Sequence, residues 1–342
     1  MLQPLRRAAW RRAARPPRLT YGRSTGPPAI WFLVPDWPLP SGGVRVAYRH
    51  VDLLHEAGRI ASVLQGERGS RPTWFPNTTP VRGARGTTVR DSDVLVIPEV
   101  WAKILPTVPV GVRCIVFDQS AHLIWQQPGS PDAYRIARSL IGVLTVSDYA
   151  AKALSQAFPD VAVRRIHLSV DTRRFQPAPR PERRLAWMPR RAGSFGEQVL
   201  DTLMARHCLD GWELAPIDGL SEQGVAEQLG SSSIFLSFTD REGFGLPAAE
   251  AMASGCYVVG CHGQGGREMF LAEHCLPVES GDASGFVTAV ESVVRQENEK
   301  PGWCRTRGLR ARAFIDEHYS VHRERLEVIS YYDDVLSRAP CR

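Results

Sequence analysis

Short runs of consecutive apolar residues alternate with longer amphipathic stretches along most of the chain. Ile30-Trp-Phe-Leu-Val34 is apolar throughout and of strand length. Val44 to Ala57 has helical spacing and stops at Gly58. Ile60–Leu64, Val94–Ile97, Cys114–Phe117, Gly142–Val146 and Val161–Ile166 predict further strands. Helices are predicted over Asp132–Leu140 and Tyr149–Phe158, the second with Ser147 as its N-cap. Residues 66–90 are rich in Gly, Pro, Arg and Thr and read as loop. Pro177, Pro179 and Pro181 then predict a stiff, extended connector.

The alternation restarts after the connector. Strands are predicted at Leu185–Met188, Trp212–Ala215, Ser233–Phe238, Cys256–Gly260 and Cys275–Val278. Helices are predicted at Phe195–His207, Ser221–Leu229, Leu246–Ser254 and Ala283–Arg295, and two more between Trp303 and Leu336. Strands that are apolar throughout belong to sheets covered on both faces. The pattern therefore predicts an α/β chain of two Rossmann-like parallel-sheet halves with a cleft between them. Ligands of such sheets bind beyond the carboxyl ends of the strands.

The net charge of +6 over 342 residues invites a nucleic-acid reading, but its distribution excludes one. Residues 1–28 hold seven arginines and no acidic residue, so the remainder of the chain carries −1. Nucleic-acid affinity needs a sustained basic face, which such a body lacks. The tail is predicted to be disordered, and reads either as inert or as a contact with anionic lipid. It lacks the apolar segment of a secretory signal, and no stretch approaches the ~20 apolar residues of a membrane span. The seven cysteines form no C-x-x-C pair and read mostly as small buried hydrophobes in a reducing compartment. These features predict a cytoplasmic protein, peripheral at the inner membrane face if the tail binds lipid.

The most informative stretch runs from Ser237 to Gly255. It places Glu242 and Glu250 on either side of the turn Gly243-Phe244-Gly245, with Glu250 on the first turns of a helix. Strand, glycine turn and helix N-terminus together make an anion site, because free backbone N–H groups and the positive helix end converge there. Carboxylates beside such a site suit a ligand that carries both phosphate and hydroxyls, as a nucleotide-sugar does.

Glu242-x7-Glu250, with Gly-Phe-Gly-Leu between, resembles the signature of the retaining GT-B glycosyltransferases of family 4. Pro40-Ser-Gly42-Gly43 is similar to that family's N-terminal glycine loop. Ile166–Pro177 is similar to its interdomain segment, and Val258–Glu268 to the strand and Gly-Gly-x-x-Glu loop after the glutamate pair. The resemblance spans roughly residues 30–300. It implies a GT-B fold with a basic tail (1–28), an acceptor domain (29–168), a donor domain (169–318) and a C-terminal helix (319–342) that crosses back to the first domain.

For the site, the resemblance implies that Glu250 binds the ribose and Glu242 the donor sugar. The Gly243, Phe244, Gly245 and Leu246 backbone would lie near the diphosphate or sugar, and Gly42-Gly43 would also face the donor. Arg190 and Arg191 are the candidates for the diphosphate, since the family's downstream lysine is absent. His122 corresponds in location to a family histidine that lines the sugar site, or is a structural loop residue. Asp91-Ser-Asp93 has the D-x-D form of a divalent-metal site, but two aspartates just before a strand are usually turn chemistry. No metal or cofactor is expected. The implied reaction moves a sugar from a nucleoside-diphosphate sugar to a hydroxyl acceptor, in cell-surface polysaccharide or glycoconjugate synthesis. A sugar-nucleotide epimerase of the same fold and a non-catalytic nucleotide-sugar-binding protein are the alternatives.

Overall fold

The computed structural model describes residues 15–23, 26–37, 40–66, 69 and 71–338. The chain divides into two units: Met1–His167 together with Glu324–Arg342, and Leu168–Arg323.

Unit 1 is built on a seven-stranded sheet, parallel throughout, in the order β4-β3-β2-β6-β7-β8-β9. Its strands are β2 (Ile30–Leu33), β3 (Ala61–Leu64), β4 (Val81–Arg82), β6 (Val94–Pro98), β7 (Arg113–Asp118), β8 (Leu140–Thr145) and β9 (Val163–Arg165). The central strands are almost wholly buried, as apolar runs in a doubly covered sheet require. The helix Gly42–Glu56 follows β2 and turns Val44, Val51 and Leu54 into the core. The helix Asp148–Ala157 starts where Ser147 caps it, its hydroxyl accepting from Ala150 N at 3.3 Å. The last helix, Val321–Ser337, packs on unit 1 through Glu324, Asp333 and Val335. Arg59 forks onto Asp333 at 2.7 and 2.8 Å, and Arg113 donates to Val335 O at 2.9 Å.

Several local expectations for unit 1 need correction. The tail is not wholly disordered: β1 (Thr20–Gly22) pairs in parallel with β5 (Thr88–Arg90). That pairing and β4 also put strands inside residues 66–90, read as loop. These strands are two or three residues long, too short to show an alternation in sequence. Residues 1–14, including four of the tail arginines, lie outside the described residues. The helix expected over Asp132–Leu140 is shorter, Ser130–Ile136, because Leu140 opens β8. A 3-10 segment, Glu99–Thr107, was not foreseen.

Unit 2 carries a five-stranded parallel sheet in the order β11-β10-β12-β13-β14. Its strands are β10 (Glu182–Trp187), β11 (Glu213–Pro216), β12 (Ser232–Ser237), β13 (Tyr257–Gly260) and β14 (Cys275–Pro277). Leu185, Ile234, Leu236 and Val259 form its core with Val199, Leu203, Phe286 and Val290 of the flanking helices. From β10 the chain first runs to β11 on one side, then crosses to β12 on the other. β10 and β12 therefore flank the topological switch point, where open α/β sheets leave a crevice at their carboxyl ends.

Six cysteines are described, all without disulfides, and all but Cys208 are buried. Cys341 lies outside the described residues. Among the described residues no helix is long and apolar enough to cross a membrane.

Candidate donor-binding site in unit 2

The loops leaving β10 and β12 supply the charged groups of the site. Met188 follows β10, and a helix begins at once with Pro189, earlier than the Phe195 start expected from sequence. Gly193, at φ 54°, breaks this helix near its start. Arg190 and Arg191 thus sit on a short first turn at the strand end rather than in a loop. Arg191 Nη2 lies 3.0 Å from Glu242 Oε1. Arg190 is exposed overall, yet its guanidinium is held below its ordinary value, chiefly by desolvation and then by Arg191. Glu242, Asp218 and Glu250 act in the opposite direction on it, which places Arg190 within electrostatic reach of both glutamates.

The loop after β12 is laid against the loop after β13, and the glycines make that possible. Glu242 N donates to Gly263 O at 2.7 Å, and Gly265 N donates to Glu242 O at 3.1 Å. A Cβ on Gly265 would stand 2.0 Å from Gly243 O, and one on Gly263 2.9 Å from Glu242 Cβ. Only hydrogen fits in such spaces. Gly263 and Gln264 both take left-handed backbone, φ 60° and 66°. The rings of Phe244 and Tyr319 meet at 5.1 Å, and Tyr319 Oη donates to Glu268 at 2.9 Å. One tyrosine therefore fastens both loops.

Glu242 is left with 16% of its side chain exposed. Burial pushes its carboxyl up, while Arg191 and then Arg190 pull it back down. Although Oε1 is ion-paired, it accepts no hydrogen bond of proper direction from a described residue. The carboxylate of this pocket-lining residue therefore keeps acceptor capacity.

Gly245, left-handed at φ 93°, is the N-cap of the helix Leu246–Ala253. That helix has no side-chain cap, and Pro247 lies in its first turn. Its first N–H groups and its dipole are thus offered to a ligand. Glu250 is buried one turn further along. The opposite end is held by Arg312, which donates to Ala253 O at 2.6 Å and to Phe175 O at 2.9 Å. A cation at a helix C-terminus suits the dipole and fixes the helix in place.

Arg191, Glu242, Gly245, Pro247 and Ala248 line one open pocket over the ends of β12 and β13. Its apolar floor includes Phe238 and Phe270. A cation, an acceptor carboxylate, a helix N-terminus and an apolar wall together match a ligand that is anionic at one point and hydroxylated at another.

The other residues singled out from sequence lie in unit 1. Gly42 and Gly43 open the helix that follows β2, and Gly43 O accepts from Gln119 Nε2 at 3.0 Å. His122 is half-buried in the turn after β7. Asp93 is structural: its carboxylate accepts from Ala29 N, Arg90 N and Trp31 Nε1, each at 2.9 Å. One residue that sequence reasoning passed over, His262, lines the pocket. It stands inside the Val258–Glu268 segment, and its position on the glycine loop was the available signal.

Residues 209–296 match the family model described as Glycosyl transferases group 1. A 47-residue stretch is 49% identical to an alpha-1,6-glucosyltransferase of Actinobacillus pleuropneumoniae. It spans 14% of this chain and 14% of that protein. The whole chain is similar in structure to sucrose-phosphate synthase from Thermosynechococcus elongatus, with a TM-score of 0.67 at 14% identity over 91% of this chain and 99% of that one. It is also similar to a glycosyltransferase from Rickettsia africae, with a TM-score of 0.56 at 14% identity over 92% and 100% of the two chains. A third similar structure is an alpha-glucosyltransferase solved with UDP and a DNA 13-mer, at TM-score 0.56 and 10% identity over 92% and 100%. The architecture is thus that of the two-unit, Rossmann-like GT-B fold. Within it, unit 2 holds the segment that matches the group 1 glycosyltransferases.

Proposed function

We propose that this chain is a retaining glycosyltransferase of the family 4 type. It transfers a sugar from a nucleoside-diphosphate sugar to a hydroxyl-bearing acceptor in the synthesis of polysaccharide or glycoconjugate. The observation that carries the proposal is one juxtaposition in unit 2, which brings Arg191 onto the segment matched by the family model. Glu242 faces Arg191 beside the uncapped N-terminus of the Leu246–Ala253 helix, with Glu250 on that helix.

Each group has a role that its chemistry permits. Glu250 accepts from the ribose hydroxyls. Glu242 accepts from a hydroxyl of the transferred sugar. Arg191, with Arg190 beside it, and the amides of Gly245 and Leu246 take the diphosphate. These donors stabilise the negative charge that develops on the leaving nucleoside diphosphate, so a divalent metal is not required. Gly42, Gly43 and His122 are assigned to the same reaction on resemblance alone. The protein acts in the cytoplasm, and its arginine-rich tail offers anionic lipid a contact.

Turnover of a panel of UDP-, GDP-, ADP- and dTDP-sugars tests the proposal, with free sugars and glycans as acceptors. Glu242→Ala should lower kcat by about 100-fold or more, the scale seen when a transition-state donor or acceptor is removed. Activity should survive EDTA. Wild-type turnover in Glu242→Ala, or full loss in EDTA restored by Mn²⁺, would contradict the assignment.

A further inference from the structure

Among the polar side chains that line the pocket and have been given no role, one carries an imidazole. His262 lines the pocket together with Glu242 and Arg191. Its imidazole is fixed on two sides. Gln264 N donates to Nδ1 at 3.0 Å, and the ring meets Phe270 edge-on, with centroids 6.2 Å apart at 78°. A ring nitrogen that accepts from a backbone amide carries no proton, so the proton of the neutral ring sits on Nε2. Protonating Nδ1 would set two N–H groups against each other. Burial, and then the charge of Arg267, hold this histidine below its ordinary pKa, consistent with a neutral ring. The ring is therefore a neutral donor in a fixed tautomer.

The backbone couples this donor to Glu242. Gly263, next to His262, accepts from Glu242 N at 2.7 Å, and Gln264 pairs with Glu242 as an isolated parallel bridge. Two left-handed residues in succession leave this loop little freedom to turn the ring elsewhere. A hydroxyl both donates and accepts. Glu242 supplies only an acceptor, and His262 supplies a donor without adding charge. Phosphate, by contrast, is better served by the arginines and the helix N-terminus.

The geometry points to His262 as a specificity-determining residue for the transferred sugar: Nε2–H donates to a sugar hydroxyl whose own proton is taken by Glu242. This rests on the glycosyltransferase proposal above. It extends it by assigning a donor and an acceptor to one hydroxyl, so that an epimer with that hydroxyl inverted loses both contacts.

Calorimetric titration of the full chain separates the two levels. The ligands are UDP, GDP, ADP and dTDP and their glucose, galactose and N-acetylglucosamine conjugates. The variants are wild type, His262→Ala and His262→Gln. The expected result is that the preferred nucleoside diphosphate binds all three proteins alike. The preferred sugar conjugate should bind His262→Ala about tenfold more weakly, the equivalent of one lost hydrogen bond. The preference among sugars should narrow in His262→Ala, and His262→Gln, which keeps an N–H donor, should recover part of the affinity. In turnover, KM for the donor should rise more than kcat falls. Unchanged affinity and preference in His262→Ala would overturn the inference. Equal losses for diphosphate and conjugate in both variants would also overturn it, since they would make His262 a support of the loop. If wild type binds none of these ligands, the glycosyltransferase proposal itself fails.

Discussion

Both units end their parallel strands in carboxylates, but the two edges treat them in opposite ways. In unit 2, Glu242 lines a pocket and is matched by two arginines. In unit 1, Glu99 follows β6 and Asp118 ends β7, and both are buried. Burial pushes Glu99 up to about 7, and burial with the Glu99 charge drives Asp118 well above its ordinary value. Tyr134 lies beside them, and its hydroxyl is pushed up by the same burial and by both carboxyls. Neither Asp118 Oδ2 nor Tyr134 Oη has a hydrogen bond of proper geometry among the described residues, although Tyr134 is near enough to lower the Asp118 pKa. The same topology thus yields a cation-matched edge in one half and a proton-retaining edge without a cation in the other. What separates them is the pair Arg190-Arg191 after β10, which has no counterpart in the residues directly after β6, Glu99-Val-Trp.

The comparison breaks most readily at the glycines of unit 2. Gly265→Ala would drive a methyl into Gly243 O, 2.0 Å away. Separating the two loops should weaken donor binding about 100-fold and destabilise the protein by roughly 1–3 kcal/mol, as overpacking does. Gly224→Ala is the control, because its backbone is not left-handed, its Cβ would make only ordinary contacts at 3.4 Å or more, and it is not among the pocket residues. Equal donor binding in Gly265→Ala and wild type, by calorimetry, would show that the double loop does not shape the site.

In unit 1 the corresponding probe is Asp93→Ala. Three N–H groups lose their acceptor, two of them from the backbone. Denaturant unfolding should show a loss of about 2–4 kcal/mol. Added Mn²⁺ should restore neither stability nor activity. Recovery by Mn²⁺ would revive the metal reading of Asp91-x-Asp93.

The smallest effect concerns protons. The folded pKa of Glu99, about 7, lies above the 4.5 of an ordinary glutamate. Such a raised carboxyl adds stability that is fully present below the unfolded value and is lost as pH rises through the folded one. The melting temperature of wild type should therefore fall, by roughly 2–5 °C, as pH is raised across that window. Glu99→Gln, which cannot ionise, should flatten the curve there. A wild-type curve that rises through the same window and is unaffected by the substitution would remove the contrast between the two edges.

How far the sequence announced all this depends on the length of each signal. The central strands of both sheets, the helix after β2 and the Ser147 cap were legible, because uninterrupted apolar runs and a capping residue report directly on burial and helix starts. β1, β4 and β5 were not, because a three-residue strand is set by its partner rather than by its own pattern. The site followed the same rule. Glu242, Glu250 and the glycine turn could be read in one contiguous stretch. The ion pair of Arg191 with Glu242 joins residues 51 positions apart, and only folding shows that Arg191 is the closer arginine. Glu99 and Asp118 gave no signal at all, since nothing local marks a carboxylate that will be buried without a cation.

The central claim is that the helix bearing Glu250 holds the nucleotide part of a sugar donor. Its most direct test is the affinity of wild type and Glu250→Gln for the preferred nucleoside diphosphate and its sugar conjugate, measured by calorimetry. Glutamine keeps the buried shape and removes the charged acceptor, so melting without ligand should change little. Both ligands should bind Glu250→Gln at least about tenfold more weakly, because the ribose is common to both and loses a charge-assisted hydrogen bond. Equal affinity of the two proteins, or no binding of any nucleoside diphosphate by wild type, would contradict the account.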